Sequence, residues 1–332
     1  MIRVAVDAMG GDRGPEEIVA GALDARSDDV VPVLVGPAGL DTNGLELIEA
    51  ADVIGMDEKP TDAVRGKPNS SLVTACRAVG EGTTQAVVSA GNTGAMLAAC
   101  LLEIRRLPGV RRPAIAVTIP ARDGAPLLLD AGANADARPE DLLQFAHMGT
   151  VFAEEILDVR NPQIRLLSIG EEPEKGNQLT LEAHELLAGS DLNFAGNTEG
   201  RDLLRRGAEV VVTDGFTGNV ALKLLEGTIT NLLDGFREEI TATTRGKLGG
   251  LLIRPAARRL RNRLDPDTYG GAYLLGLRGL AVIAHGNSSR RAIANAIRLA
   301  ARGADNDVVG RLGQRLGNTV LESGPSTTPT PT

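Results

Sequence analysis

Six times along this 332-residue chain an apolar run of three to five residues ends in a turn rich in Gly, Asp and Asn and then passes into a helical pattern. Val4–Val6 leads through DAMGGDRGP into EEIVAGALDA, Ala86–Ser89 through AGNTG into AMLAACLLEI, and Leu127–Leu129 through DAGANADARP into EDLLQFAHM. Arg165–Ile169 leads through GEEPEKGN into LTLEAHELLA, Glu209–Thr213 through DGFTGN into VALKLLEG, and Leu280–Ala284 through HGNSS into RRAIANAIRLAA. Parallel strands need a crossover to rejoin the sheet, so strands alternating with helices predict βαβ units and a mostly parallel sheet. Pro32–Val35 and Ala114–Thr118 read as further strands. Open α/β sheets bind ligands beyond the carboxyl ends of their strands, which is where all six turns fall. Two turns resemble each other: VVSAGNTGAM (87–96) and VVTDGFTGNV (211–220) both read V-V-S/T-x-G-x-T-G. They are either two anion-facing turns on one sheet or a convergence on a common turn.

Bulk properties narrow the function. With 42% hydrophobic and 23% charged residues the body is expected to be globular. The absence of Trp, with two Tyr and five Phe, argues against an aromatic platform for single-stranded nucleic acid, and the net charge of −8 gives no electrostatic case for a nucleic-acid partner. The opening MIRVAVDAMGG reads as a strand rather than a targeting segment, and no run of about 18 apolar residues is present. The expected compartment is the cytoplasm. Cys76 and Cys100 lie in apolar helical stretches without metal-ligand spacing and read as small buried hydrophobes. G-x-S-x-G, HExxH and CxxC motifs are all missing, so covalent serine, zinc and redox chemistries lose their main support. No metal and no cofactor are expected.

The turns supply the candidate site. In GNTG (Gly91, Asn92, Thr93, Gly94) backbone N–H groups at a helix N-terminus face an anion, and glycine permits close approach. The competing reading is a tight turn with an Asn or Thr cap. The motif matches neither the Walker loop nor the dinucleotide fingerprint. SIGEEPEKGN (168–177) offers Lys175 and Asn177; only five of the 35 basic residues are lysines, so Lys175 stands out, although a solvated loop charge is equally compatible. Glu171 and Glu172 read as surface carboxylates or an ion-pair partner for it. DGFTGN offers Asp214, Gly218 and Asn219, with Asn219 placed in the first turn of the next helix as a ligand amide or an N-cap. DAMGGD offers Asp7, Gly10, Gly11 and Asp12, as an anion turn or a turn held by Asx hydrogen bonds. His285 closes a strand and is the best placed of three histidines; His147 and His184 fall in helical patterns and read as packing or surface contacts.

Between Arg245 and Leu264 the chain holds seven basic residues and no acid. Leu248, Leu251 and Leu252 fit one helical face, Leu260 and Leu264 another, and Pro255 marks the expected start of a second helix. Gly249 and Gly250 weaken the first. The pattern predicts a basic helical hairpin with an apolar edge at about 240–265, inserted in one domain spanning 1–310. SGPSTTPTPT (323–332) reads as a disordered tail.

Taken in order, VDAMGGDRGPEEIV, VSAGNTGAMLA, LLDAGANADARPEDLLQFAHMG, IGEEPEKGN, NFAGNTEGRDLL, VVTDGFTGNVALKLLEG, YGGAYLLGLRG and AHGNSS resemble the bacterial phosphate acyltransferase family of phospholipid synthesis, from about residue 2 to residue 300. The resemblance implies a Rossmann-like three-layer α/β/α sandwich related to phosphotransacetylases and isocitrate-type dehydrogenases, in a homodimer. It implies transfer of a fatty acyl group from acyl carrier protein to inorganic phosphate, the acyl phosphate then serving a membrane glycerol 3-phosphate acyltransferase. It makes Lys175 and Asn219 the catalytic candidates. Around the phosphate and substrate we place Asp7, Gly10, Gly11, Gly91, Asn92, Thr93, Gly94, Asn177, Asp214, Gly218 and His285, the residues of the turns. The hairpin, through Lys247, Leu251, Leu252, Arg254, Arg258 and Arg259, is implied to touch an anionic membrane surface, with docking of the acidic carrier protein or an interface helix pair as the other readings. Rival functions are an acyl-CoA-dependent phosphate transacylase, a nicotinamide-dependent dehydrogenase (weakened by the lack of G-x-G-x-x-G after the first strand) and a non-catalytic membrane-associated scaffold.

Overall fold

A computed structural model describes residues 1–322 except 122, 123, 206, 266, 267 and 269. The 323–332 tail expected to be disordered lies outside the described residues. In chain order the elements begin β1 (Ile2–Asp7), α1 (Pro15–Ala25), β2 (Val30–Gly36), β3 (Glu46–Glu49), α2 (Pro60–Gly66), α3 (Ser71–Gly80), β4 (Ala86–Ser89) and α4 (Thr93–Glu103). They continue with β5 (Ala114–Thr118), β6 (Leu127–Leu129), α5 (Pro139–Ile156), β7 (Ile164–Ser168), α6 (Gln178–Ala188), β8 (Phe194–Glu199) and β9 (Val210–Val212). Then come α7 (Gly215–Thr241), α8 (Thr244–Leu264), β10 (Ala272–Leu275), β11 (Leu280–Ile283), α9 (Arg290–Asp305) and α10 (Val308–Glu322).

The strands form one sheet in the order β3-β2-β1-β4-β11-β10-β5-β6-β9-β7-β8. Its core is apolar on both faces because the strand side chains alternate. Val4, Val6, Val88, Leu127, Leu129, Val210 and Val212 join α1, α5, α6, α9 and α10 on one side. Ala5, Val87, Leu128 and Val211 join α2, α3, α4 and the inner side of α7 on the other. The expected three-layer α/β/α sandwich is therefore what the chain forms. Cys76 and Cys100 are buried, as expected, with their sulfurs 3.6 Å apart.

Strand direction reverses across the sheet. The β1, β2, β3, β4 and β11 ladders are parallel, as are those joining β6, β9, β7 and β8. Between these blocks β10 pairs antiparallel with β11 and with β5, and β5 pairs antiparallel with β6. Each of the six turns does follow the carboxyl end of its strand, but the two parallel blocks run in opposite directions, so the turns fall into two sets. DAMGGD, AGNTG and AHGN belong to the first block; DAGAN, GEEPEKGN and DGFTGN belong to the second. Helix α7 links them: it starts behind β9 and by Lys223 and Glu226 has reached His285 at the end of β11.

Two expectations about the basic segment need correction. The hairpin consists of α7 and α8, and α8 runs unbroken through Pro255. Proline costs a helix one N–H bond, but α8 has no buried residue, so water can satisfy the freed carbonyl. The glycines have a packing use: a Cβ on Gly246 would lie 2.2 Å from the Ile240 carbonyl oxygen, and one on Gly250 2.8 Å from an Ile240 methyl. Their absence lets the two helices approach closely. The packed body also passes the expected boundary at 310, since Leu312 and Leu316 of α10 are buried in the core.

Candidate active site

The first set of turns is assembled on a buried carboxylate. Asp7, at the end of β1, accepts the Ser89 hydroxyl at 2.7 Å and the Met9 N–H at 3.2 Å. Ser89 in turn accepts the Gly91 N–H at 3.0 Å. Burial raises the Asp7 pKa above the ordinary carboxylate range, opposed by the Ser71 and Ser89 hydroxyls and the Met9 and Gly10 N–H groups. Asp7 is thus a foundation of the turn rather than an exposed ligand. Gly10 is needed because a Cβ there would sit 2.6 Å from Asp7 Oδ2 and 2.8 Å from the Gly91 nitrogen. The Asp12 N–H donates to the Gly286 carbonyl at 2.7 Å, which ties in the turn after His285. The Asn92 side chain is fully engaged: its Oδ1 caps α4 through Ala95 N–H, and its amide donates to the Met56 and Glu58 carbonyls at 3.1 Å each. Of the two readings for GNTG, Asn92 follows the cap; Thr93 is exposed beside it.

The second set is built in the same way on Asp130, directly after β6. Its Oδ1 accepts from the Ile115, Gly132 and Ala133 N–H groups, and its Oδ2 from the Asn134 N–H and side-chain amide, all at 2.8–3.0 Å. Burial pushes the Asp130 pKa up, against these bonds. Helix α7 docks on this knot. A Cβ on Gly218 would lie 1.9 Å from the Asp130 carbonyl oxygen, and one on Gly215 2.6 Å from the Asn134 carbonyl oxygen. Asp214 is the N-cap, accepting the Thr217 N–H at 2.9 Å and hydroxyl at 2.7 Å. Asn219 is therefore neither the cap nor in the first turn; it is exposed on the fifth helical residue, with its Cβ 3.5 Å from where a Gly132 Cβ would project.

Lys175 is exposed in the loop after β7, the strand paired with β9, so its loop and the α7 N-terminus follow neighbouring parallel strands. The Ser168 hydroxyl donates to the Lys175 carbonyl at 2.8 Å, and Asn177 caps α6 through the Thr180 N–H at 2.9 Å. Among the described residues the Lys175 ammonium has no hydrogen bond. His285 lies in the first set of turns, against α7, with Nε2 3.4 Å from both Lys223 Nζ and Glu226 Oε1. His147 is buried in α5, where burial lowers its pKa, and His184 bonds Asn197 at 3.0 Å.

The family model described as a fatty acid synthesis protein matches residues 2–311. A phosphate acyltransferase from Heliobacterium modesticaldum is 44% identical over 327 residues, covering 95% of this chain and 98% of that one. One from Desulfitobacterium hafniense strain Y51 is 48% identical over 311 residues, covering 90% and 93%. The chain belongs to the phosphate acyltransferase family. Its fold is similar to a phosphotransacetylase from Streptococcus pyogenes (TM-score 0.61, 18% identity, 92% of this chain and 94% of that one). It is also similar to a branched-chain phosphotransacylase from Enterococcus faecalis V583 (TM-score 0.59, 17% identity, 92% and 99%). No helix among the described residues is long and apolar enough to cross a membrane.

A cavity of about 290 Å³ lined by Thr118, Ile156, Asn295 and Arg298, and one of about 400 Å³ lined by Glu49, Asn69 and Arg77, have no glycine-turn residue in their walls. Sequence reasoning quoted the DAGAN motif but named no residue in it, and so missed Asp130 and Asn134. The available signal was the shared ending Asp-Ala at 7–8 and 130–131, with a glycine next at 132 and one residue later, at 10, in the first. It also missed Lys223, which has no motif of its own and meets His285 only through the fold.

Proposed function

We propose that this protein transfers a fatty acyl group from acyl carrier protein to inorganic phosphate. A phosphate oxygen forms the bond to the thioester carbonyl carbon, the C–S bond breaks, and the carrier thiolate takes a proton from water. Membership of the phosphate acyltransferase family, with glycine turns at strand ends beside Lys175 and Asn219, is the observation on which the reading rests. The chemistry asks little of a general base. Phosphate, with a second pKa of about 6–7 near that of phosphoesters, is largely dianionic at neutral pH, and a thiolate with pKa about 8.5 leaves readily. What remains is to hold two reactants and to stabilise the oxyanion. Lys175 and Asn219 are exposed polar groups suited to that task, and the DAMGGD and GNTG turns are suited to hold the phosphate with Thr93.

The same reading places the protein in the cytoplasm as a homodimer touching the membrane peripherally, near a glycerol 3-phosphate acyltransferase. Its support is α8: Lys247, Arg254, Arg258 and Arg259 are exposed beside Leu251 and Leu252, which are 64% and 82% accessible. An anionic membrane or the acidic carrier suits such a surface. The test is phosphate-dependent release of free thiol from a long-chain acyl carrier protein. Lys175→Ala and Asn219→Ala should each lower kcat by on the order of 10²-fold. Release that survives both changes moves the site; no release from folded wild-type protein rejects the transfer.

A further inference from the structure

Asn219, Lys223 and Glu226 are spaced four and three residues apart on α7 and so share one stripe of the helix. Asn219 lies against the DAGAN turn of the second block of strands. One turn further on, Lys223 Nζ donates to Glu226 Oε2 at 2.8 Å and stands 3.4 Å from His285 Nε2, at the end of the first block. The Lys223 ammonium thus lies at the junction of the two sets of turns.

We propose that Lys223 is a further anion-binding residue of the candidate active site, held over His285 by Glu226, and that it takes a phosphate group. The inference rests on the acyl-transfer reading above. An ammonium has three donor positions; one is committed to Glu226, leaving others for an incoming anion on a side chain that is 53% exposed. Glu226 is the more buried partner, at 23% exposure. Burial pushes its pKa up, but bonds to His285 and Lys223 outweigh this and hold it below the ordinary range, so the carboxylate that fixes Lys223 remains charged at neutral pH.

Lys223 and Glu226 come from α7, and His285 from the turn after β11. From the turn after β1, Asp12 bonds the Gly286 carbonyl and Arg13 Nε bonds Asn287 Oδ1 at 2.7 Å. The cluster therefore borders the DAMGGD turn, where the phosphate is placed in the reading above. An exposed lysine pinned on its own helix would ordinarily be a surface ion pair of small worth. Here the histidine 62 residues away fixes it across the boundary between the blocks.

Two substrates of the proposed reaction carry the shared chemistry: inorganic phosphate and the phosphodiester in the carrier's pantetheine arm. Steady-state thiol release by the full chain separates them. For Lys223→Gln, KM for inorganic phosphate should rise about tenfold, the size of one charge-assisted hydrogen bond, with kcat within about threefold. Lys223→Arg should recover most of the loss. A rise confined to KM for the acyl carrier, absent with an acyl-pantetheine lacking the phosphodiester, assigns the contact to the arm instead. The unfolding midpoint of wild-type protein should rise with added phosphate, and Lys223→Gln should flatten that rise if inorganic phosphate is the ligand. Unchanged KM values for both substrates, or a fall in kcat alone, overturn the proposal. Wild-type protein without phosphate-dependent release rejects the acyl-transfer reading itself, a result that the variants cannot produce.

Discussion

The GNTG turn at 91–94 and the GFTG turn at 215–218 are nearly the same sequence, follow the same V-V-S/T strand ending and sit beside a buried aspartate on the neighbouring parallel strand. Yet their helices begin at different places. In the first, Asn92 is the N-cap and α4 starts at Thr93; in the second, Asp214 is the cap and α7 starts at Gly215, two residues earlier in the shared motif. The reason is the residue type at each cap position. Ala90, the counterpart of Asp214, has no acceptor, and Phe216, the counterpart of Asn92, has none either. A two-letter difference therefore decides which glycines lie inside the helix and what they touch. Gly218 is pressed on the Asp130 backbone, whereas Gly94 meets side chains, the ring of Pro60 first and Asn92 Oδ1 farther off.

The largest expected effect comes from those glycines. Gly218→Ala drives a methyl into the Asp130 carbonyl, which cannot move without unseating β6, and should cost about 3 kcal/mol or more in chemical denaturation. Gly94→Ala, whose Cβ meets Pro60 Cγ at 2.6 Å, is expected to cost about 1 kcal/mol, part of it offset by the helix preference of alanine. Equal losses at the two sites would end the distinction between the turns.

Next are the aspartates. At Asp7 two of the donors are hydroxyls, which can reverse and accept from an amide, so Asp7→Asn should fold normally. Four of the five donors to Asp130 are backbone N–H groups that cannot reverse, so Asp130→Asn sets an amide against its donors and should cost about 2–3 kcal/mol. The Asp7 pair also has a pH signature. Because burial raises the Asp7 pKa, its contribution is fully present below the ordinary carboxylate range and is lost as pH rises through the raised value. Wild-type and Asp7→Asn melting curves should respond differently to pH: wild type loses stability on that rise, and the variant lacks that loss. Parallel pH profiles would show that Asp7 does not titrate upward.

The caps give the smallest effects. Asp214→Asn retains an acceptor for the Thr217 N–H and should change stability by about 0.5 kcal/mol or less. Asn92→Asp forfeits two amide bonds and places a carboxylate beside the Met56 and Glu58 carbonyls, for an expected cost of about 1–2 kcal/mol. The two should differ although both residues are N-caps, and thermal melts of the pair would show it.

Much of this was open to the sequence reader. Short-range physics writes itself locally: the apolar runs Val4–Val6 and Val210–Val212, the cap at Asn92 and the glycines of each turn all depend on residues within a few positions, whereas in DGFTGN the sequence offered Asn219 as the cap and the structure gives that place to Asp214. Those features, with the motif order, were enough for the α/β/α sandwich and the family. The reversal of the sheet was not legible, because β10 and β5 are short apolar runs whose direction depends on which neighbours they pair with. Nor was the length of α8, since the role of Gly246 and Gly250 depends on Ile240 of the facing helix. Only the tertiary structure could give Asp130 its donors from Ile115 and Asn134, and bring Lys223 to a histidine 62 residues away. Local propensity records what a residue prefers for its own backbone; the partners of a buried charge or of a cation between two blocks of strands are set when the chain closes on itself.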